Sequence, residues 1–186
     1  DDVAGYTIDT GGAFGFGITG GSVDLAIVRP GDLAAGDQTS YLGLEIGVEG
    51  ATLVGIDGVT FNISGVVLVN RATDAAGNEV SAAAQRIDWG AASAGTLLPE
   101  FDERLDAGTD LSVTGQASFD LFGFAVGTAA FDLFLGEIDV VSTSSLGTLP
   151  DASLMAFTLS SVNVFVGAGA ALNDNATAVV TDDAVD

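Results

Sequence analysis

Cysteine, histidine and lysine are all absent from this chain of 186 residues, and its only basic side chains are four arginines. Without cysteine or histidine the chain can form no disulfide and none of the usual thiolate or imidazole metal sites. The 26 acidic residues bring the formal net charge to −22. Because phosphate binding requires a basic surface, we expect no nucleic-acid partner.

The same absences restrict catalysis, because histidine, cysteine and lysine are the usual groups that activate a nucleophile or act as one. Two pairs of acidic residues have the spacing that puts both members on one strand face: Glu45 with Glu49, and Glu137 with Asp139. Such a pair could serve glycoside hydrolysis, but a solvated outer face explains the same pattern more simply. We therefore predict that the chain is not an enzyme, and keep a carboxylate glycosidase as an alternative.

What the chain does contain is typical of β-structure. Hydrophobic residues make up 48% of it, and glycine occurs 26 times. Apolar and polar residues alternate with a period of two between turn signals. No apolar run reaches the length of a membrane helix without a charge or several glycines, so we expect no membrane span. We predict an all-β fold, either an antiparallel-rich two-layer sandwich or a flattened barrel, with a β-solenoid as the alternative.

One alternating pattern occurs twice in the chain. Residues 118–136 predict two short strands joined by a tight connection at residues 127–130. Residues 13–28 predict the same hairpin, because at a constant offset the residues of the two segments match, as Phe14 matches Phe122. The hairpin is therefore expected in two copies.

A second match, at a different offset, places Phe61 on Phe157. Two matches in the same order predict a fold built from two similar halves, as in tandem repeats. The first β half would comprise residues 1–70, and the second would comprise residues 111–186 with an acidic C-terminal tail. Residues 71–110 would form an irregular connection between the halves.

Within the first half, the alternation predicts which side chains face the core. Leu42, Leu44 and Ile46 are expected to point inward, and Glu45 between them is expected to point outward. The Asp-Gly dipeptide at residues 57–58 is a strong signal for a hairpin turn.

Three further features favour structural over functional interpretations. The glycines of residues 15–20 match a dinucleotide-binding fingerprint, but they lie within strand alternation and no helix pattern follows them. Trp89 could stack on a sugar, as could Tyr41 in a loop site, but Trp89 is more simply explained as an anchor of the connection to the core. Residues 80–86 weakly predict a short helix.

Any bound metal would have to be a hard cation held by oxygen atoms, and Ca²⁺ is the first candidate. Oxygen-rich loops occur at residues 32–37 and 74–79, but neither an EF-hand loop nor a glycine-rich nonapeptide repeat is present. Bare surface charge is the alternative explanation. The predicted calcium ligands lie where the two chain ends would meet in a tandem array: Asp1, Asp2, Asp182, Asp183 and Asp186.

Residues 40–73, 118–136 and 159–170 together resemble the long repeats of giant secreted bacterial surface proteins, adhesin-like or haemolysin-type chains that are exported by type I secretion. The resemblance covers most of the chain in style and order. It implies a tandem β-rich unit, an extracellular location and a role as spacer, fibre or adhesive element, and it carries over no functional residues. The absence of an initiating methionine and of a basic leader fits an excised or processed unit.

These observations lead to a functional expectation. We expect a secreted structural or adhesive β-rich unit that assembles end to end into a rod, fibre or filament. Its partners would be copies of itself or neighbouring repeats, and surface glycans are a further possible partner. The alternative is a carbohydrate-binding or surface-ligand-binding module of a secreted protein.

Overall fold

The computed structural model describes residues 12–93, 97–143, 145, 147–173, 180 and 183–185. A 3₁₀ turn (Ala83–Gln85) and a short helix, α1 (Trp89–Ser93), lie between the third and fourth strands. The strands are β1 (Gly15–Val28), β2 (Ser40–Val54), β3 (Val59–Thr73), β4 (Thr109–Leu121), β5 (Ala125–Val141), β6 (Thr148–Val166), β7 (Leu172–Asn173) and β8 (Ala184–Val185).

Strands β1 to β6 form one sheet in chain order, and every neighbouring pair is antiparallel. The sheet is open, with β1 and β6 as its edges, so it is not a closed barrel. Strands β7 and β8 form a small second sheet that contacts β4, β5 and β6. The prediction of an all-β, antiparallel-rich fold is confirmed, and the arrangement is consistent with the sandwich class.

The turn between β2 and β3 lies where the Asp-Gly dipeptide predicts it. The N–H of Val59 donates to the carbonyl oxygen of Ile56 at 3.3 Å, which closes the turn around Asp57 and Gly58. Gly58 has a φ of +75°, a conformation that glycine adopts without steric cost. Local turn chemistry was therefore sufficient to locate this hairpin.

The turn positions predicted for the hairpins of residues 13–28 and 118–136 are wrong. Residues 13–28 contain no hairpin, because β1 pairs with β2 along its whole length. The second hairpin turns at Phe122 and Gly123, with φ values of +59° and +64°, and residues 127–130 lie inside β5. In β5 the change of apolar residues from even to odd positions needs no turn, because the two parities lie on opposite faces. In β1 the change occurs at an irregularity beside Gly20, whose φ is +70°, and it keeps both sets of apolar residues on one face.

The matches within the sequence are matches of single strands. The first places β1 on β5, and the second places β3 on β6. In the sheet, β1 and β3 are separated by β2 and run parallel to each other, whereas β5 and β6 are antiparallel neighbours. The two pairs therefore have different spatial arrangements, although their sequences match in the same order.

The small hydrophobic core lies under the long connection between β3 and β4. Trp89, Phe101 and Leu105 of the connection pack with Ala26 of β1 and Leu68 of β3, and the Trp89 and Phe101 rings meet edge to face with centroids 5.6 Å apart. Gly43 makes this packing possible. A Cβ atom there would lie 2.6 Å from Cδ2 of the Trp89 ring, well inside any real contact distance.

The structure reverses the predicted orientation of β2. Leu42, Leu44 and Ile46 were expected to face the core, but they lie on the opposite side of the sheet from it. Glu45 was expected to face outward, but its Oε2 atom accepts a hydrogen bond of 2.8 Å from the Asp102 N–H in the covering connection. The alternation correctly predicted two different faces, but the covering layer packs on the more polar one.

The connection also contains less helix than residues 80–86 suggest. Only the 3₁₀ turn falls in that range, while α1 begins at Trp89. The interpretation of Trp89 as an anchor is confirmed, because its side chain is fully buried.

Candidate assembly surfaces

One face of the β1–β6 sheet is apolar across all six strands, and we call it the apolar face. One row of cross-strand partners on it runs from Leu25 on the β1 edge to Met155 on the β6 edge, and both ends are more than half exposed. The side chains that define it are Phe16, Ile18, Val23, Leu25 and Ile27 of β1; Leu42, Leu44, Ile46, Val48, Ala51 and Leu53 of β2; Phe61, Ile63, Val67 and Val69 of β3; Leu111, Val113, Ala117 and Phe119 of β4; Ala129, Phe131, Leu133 and Leu135 of β5; and Met155, Phe157, Leu159, Val162 and Val164 of β6.

In the part of the chain that the structure describes, no second layer packs on the apolar face. Its central side chains are half-buried by their neighbours in the sheet, and those on β1 and β6 are largely exposed. Monomeric proteins rarely leave an apolar patch of this extent in water. The strict alternation that predicted strands was also the signal for this surface, but sequence reasoning assigned the apolar side chains to an internal core.

A shallow groove of about 250 Å³ lies near the middle of the apolar face. It forms because Gly65 of β3 pairs with Gly115 of β4, so that no side chains fill the centre. Phe16 and Phe131 stand among the residues that line it. Glycine at this crossing keeps the two strand backbones close together, since a Cβ atom on Gly65 would lie 2.3 Å from the Thr114 carbonyl oxygen.

Along each strand, charged residues appear only where the apolar residues of the apolar face end. Arg71 continues the row of β3, and its guanidinium lies 3.3 Å from Glu79 and 3.6 Å from Asp110. Glu137 continues the row of β5, and its Oε2 atom accepts a hydrogen bond from the Ala83 N–H. These side chains turn toward the connection, so the centre of the apolar face is uncharged.

The two edges of the sheet are the second notable surface. Strand β1 has 14 residues and β6 has 19, and among the residues that the structure describes each pairs with a neighbour on one side only. Gly167, just after β6, donates its N–H to the Phe124 carbonyl oxygen at 2.8 Å. The N–H groups of an antiparallel strand alternate in direction, and Val164 is an odd number of residues before Gly167, so its N–H points away from β5. Such an edge is a template for pairing with another strand.

The opposite face carries a buried polar network that attaches the connection to the sheet. Asn70 donates from Nδ2 to the carbonyl oxygens of Ile87 and Asp106, and its Oδ1 atom accepts a hydrogen bond from the Trp89 indole N–H. Arg86, which is almost fully buried, contacts Asp110, with 2.5 Å between the closest nitrogen and oxygen. The network is structural, because every group in it holds the covering layer in place.

Further along this face, Arg104 forms a two-pronged ion pair with Asp102, with nitrogen–oxygen distances of 2.9 and 2.7 Å. The hydrogen bonds from Arg104 lower the pKa of Asp102, and those from Asp102 raise the pKa of Arg104. Arg104 also donates to the Thr114 hydroxyl at 3.0 Å. The pair is partly exposed and positions the end of the connection over β4.

Four of the five predicted calcium ligands lie outside the described residues: Asp1, Asp2, Asp182 and Asp186. The fifth, Asp183, accepts a hydrogen bond at Oδ2 from the buried hydroxyl of Ser118. Among the residues that the structure describes, no group of three or more acidic side chains is arranged to hold a metal ion. The calcium site at the junction of the chain ends therefore stays a prediction.

The acidic loops use their carboxylates to form turns. Asp74 accepts hydrogen bonds of 2.9 Å from the backbone N–H groups of Ala76 and Asn78, and one of 3.1 Å from the Asn78 side chain. These bonds, chiefly those from Asn78, lower the pKa of Asp74. In the neighbouring loop the Thr39 N–H and side chain lower the pKa of Asp37 in the same way.

The other candidate residues also have structural surroundings. Trp89 is buried beneath the connection and Tyr41 is half-buried against the core, so neither presents a ring for sugar stacking. Glu45 and Glu137 both accept hydrogen bonds from backbone N–H groups of the connection. Residues 15–20, the predicted strand glycines, lie within β1.

Within the described residues no helix is long and apolar enough to cross a membrane. Comparison with known proteins adds no relative: the chain matches no protein-family model, no curated protein and no solved structure.

Proposed function

We propose that this chain is an extracellular structural or adhesive unit that assembles with copies of itself, end to end, into a rod or filament. The single observation that carries the proposal is the open antiparallel sheet, whose two long edge strands have no outer neighbour within the described part of the chain. Its location outside the cell is proposed from the sequence resemblance to secreted bacterial surface repeats. The absence of cysteine is compatible with that location.

The strand count supports edge-to-edge assembly. Because the sheet has six strands in a meander, β1 and β6 run in opposite directions. A second copy in the same orientation can therefore place its β1 beside β6 of the first and continue the antiparallel pattern. The two edges differ, so this contact is head to tail and leaves a free edge at each end, which is the geometry of an open filament.

The proposed mechanism is mechanical. Each unit would add its six strands to a continuous hydrogen-bonded ladder, and with strands about 4.8 Å apart the filament would repeat every 29 Å or so. The large negative charge on loops and on the polar face would keep neighbouring filaments apart. Calcium at the acidic chain ends and glycans at the surface are proposed as additional partners of the assembled form.

The test is electron microscopy of the purified chain at a series of concentrations, in calcium and after chelation. We expect filaments with a repeat of about 29 Å along the assembly axis, from the strand spacing. Val164→Pro removes the outward N–H of β6 without removing a bond to β5, so it should abolish the filaments. Val164→Thr keeps both the N–H and the branched Cβ and should assemble like the parent chain.

Particles that stay separate at every concentration, or filaments that Val164→Pro leaves unchanged, would overturn edge-to-edge assembly. Filaments that dissolve on chelation would assign the junction to calcium, whereas filaments that persist would leave strand pairing as the main contact. A carbohydrate-binding module is less well supported, because neither aromatic candidate for stacking is exposed.

A further inference from the structure

We infer that the apolar face is a second, separate interface, at which two copies of this chain pack face to face to form a two-layer sandwich. This contact uses side chains on the sheet surface, whereas the proposed filament uses the backbone N–H and carbonyl groups of the sheet edges. It would complete the sandwich with a second chain.

The size of the apolar face matches a stable interface. The six strands lie about 4.8 Å apart, and each contributes about 12 residues at about 3.3 Å per residue, so the apolar face measures roughly 29 by 40 Å. Two copies would bury about 2,300 Å² in total, within the range of obligate dimers, whereas the largest patch on an ordinary monomer is about 300–600 Å². The area is therefore too large for an isolated subunit and sufficient for a permanent pair.

The chemistry of the face also selects a second copy. Among the described residues, no acidic or basic side chain interrupts the apolar stretch of any strand on this face; Arg71, the cross-strand partner of Leu42, and Glu137 stand where the stretches of β3 and β5 end. A partner must therefore be apolar over the same extent, and another copy of this face meets that requirement. Two chains with a net charge of −22 repel each other, but face-to-face packing limits this repulsion because it leaves the acidic loops of both copies on the outside.

The centre of the face permits close approach. Gly65 and Gly115 are paired on the two middle strands and carry no side chains of their own, so the groove lies near the centre, where two twisted sheets come closest together. Aligned sheets pack about 10 Å apart when their inner side chains interdigitate. The Phe131 ring beside Gly115 is placed to fill the groove from either copy.

The test compares adjacent residues of β6 that point to opposite faces. Leu159 lies on the apolar face, and Ser160 lies on the polar one. We expect the parent chain to sediment as a dimer or as even multiples of the chain. Leu159→Asp should weaken dimerisation by at least about 100-fold, because a symmetric interface would bury the introduced charge twice. Ser160→Asp adds the same charge one residue away and should leave dimerisation unchanged.

Folding of the variant is checked separately. We expect it to be retained, because an exposed position on an edge strand tolerates a polar residue. Leu159→Asp should keep the strand signature in circular dichroism. If it does not, Leu25→Asp on the opposite edge strand repeats the test. Raising the salt concentration should strengthen dimerisation, since it screens the repulsion between two chains of like charge.

The filament and the face-to-face pair give different results. Val164→Pro should stop filaments but weaken dimers only slightly, because proline keeps an apolar side chain at the margin of the apolar face. Leu159→Asp should stop dimers and leave single-layer filaments. A parent chain that is monomeric at every concentration would overturn the inference, as would dimers that Leu159→Asp does not weaken. A monomer that binds phosphatidylcholine vesicles would also overturn it, by assigning the apolar face to lipid.

Discussion

The six-stranded sheet is covered on its more polar face, whereas an ordinary globular domain covers the apolar face of its sheet. The face with Glu45, Asn70 and Ser118 is covered by the connection and the C-terminal strands. The face with Leu25 and Met155 is not covered by any of the residues that the structure describes. In this chain the covering layer is attached by hydrogen bonds and one small aromatic cluster, and the described residues leave the large hydrophobic surface without a second layer.

This difference separates folding from assembly. The covered face needs a specific network, because each polar group taken from water must find a partner. The apolar face needs only another apolar surface, because hydrophobic contact is non-directional. A mutation should therefore affect the stability of one chain when it falls on the covered face, and association when it falls on the apolar face.

The largest expected effect is the loss of the aromatic anchor. Trp89→Ala should lower the free energy of unfolding by about 3–5 kcal/mol, the range for a buried aromatic side chain. Phe157→Ala, on an exposed part of the apolar face, should cost a single chain less than about 1.5 kcal/mol. Chemical denaturation of both variants at low protein concentration, where association contributes least, measures the contrast. Equal losses would show that the two faces do not differ in this way.

An intermediate effect is expected from the buried arginine. Arg86→Ala removes the group that bonds the carbonyl oxygens of Asn70 and Thr109, and it should cost about 2–4 kcal/mol because these acceptors stay buried. Arg71→Ala removes a guanidinium that also lies near Asp110 but is 45% exposed, and should cost less than about 1 kcal/mol. Thermal unfolding of the two variants provides the measurement. A similar loss in both would contradict the structural role of the network.

The smallest effect concerns the turn after β3. Because its folded pKa is lowered, Asp74 stabilises the turn above the unfolded value of about 3.9, and this contribution is lost as the pH falls through the lowered pKa. Asn78→Ala removes the main cause and should raise the pKa of Asp74 toward its ordinary value. An NMR titration of the Asp74 carboxyl group measures the shift, and Asn163→Ala on β6 serves as the control. An unchanged midpoint in Asn78→Ala would contradict this origin of the shift.

Sequence reasoning succeeded where the cause is local. Residues 57–58 predicted their turn because an Asp-Gly pair adopts the required backbone angles on its own. It failed at Phe122–Gly123, since a phenylalanine at positive φ is unusual and no composition rule points to it. In the structure the Phe122 ring lies against Gly58, in the turn that precedes β3; a Cβ atom on Gly58 would lie only 2.7 Å from this ring. The turn after β4 therefore depends on a contact with a turn that is distant in sequence.

The alternation of apolar and polar residues is enough to predict the class of fold and the two unlike sides of each strand, because successive side chains of a strand point to opposite faces. The composition also sets the acidic net charge and the absence of lysine, thiol and imidazole groups. Which side the connection covers depends on contacts that form only in the folded chain. That choice rests on Gly43, which leaves room for Trp89, and on Asn70, which bonds it from across the sheet. Contacts between residues distant in sequence have no periodic signature, so the uncovered apolar face emerges only when the strands are assembled.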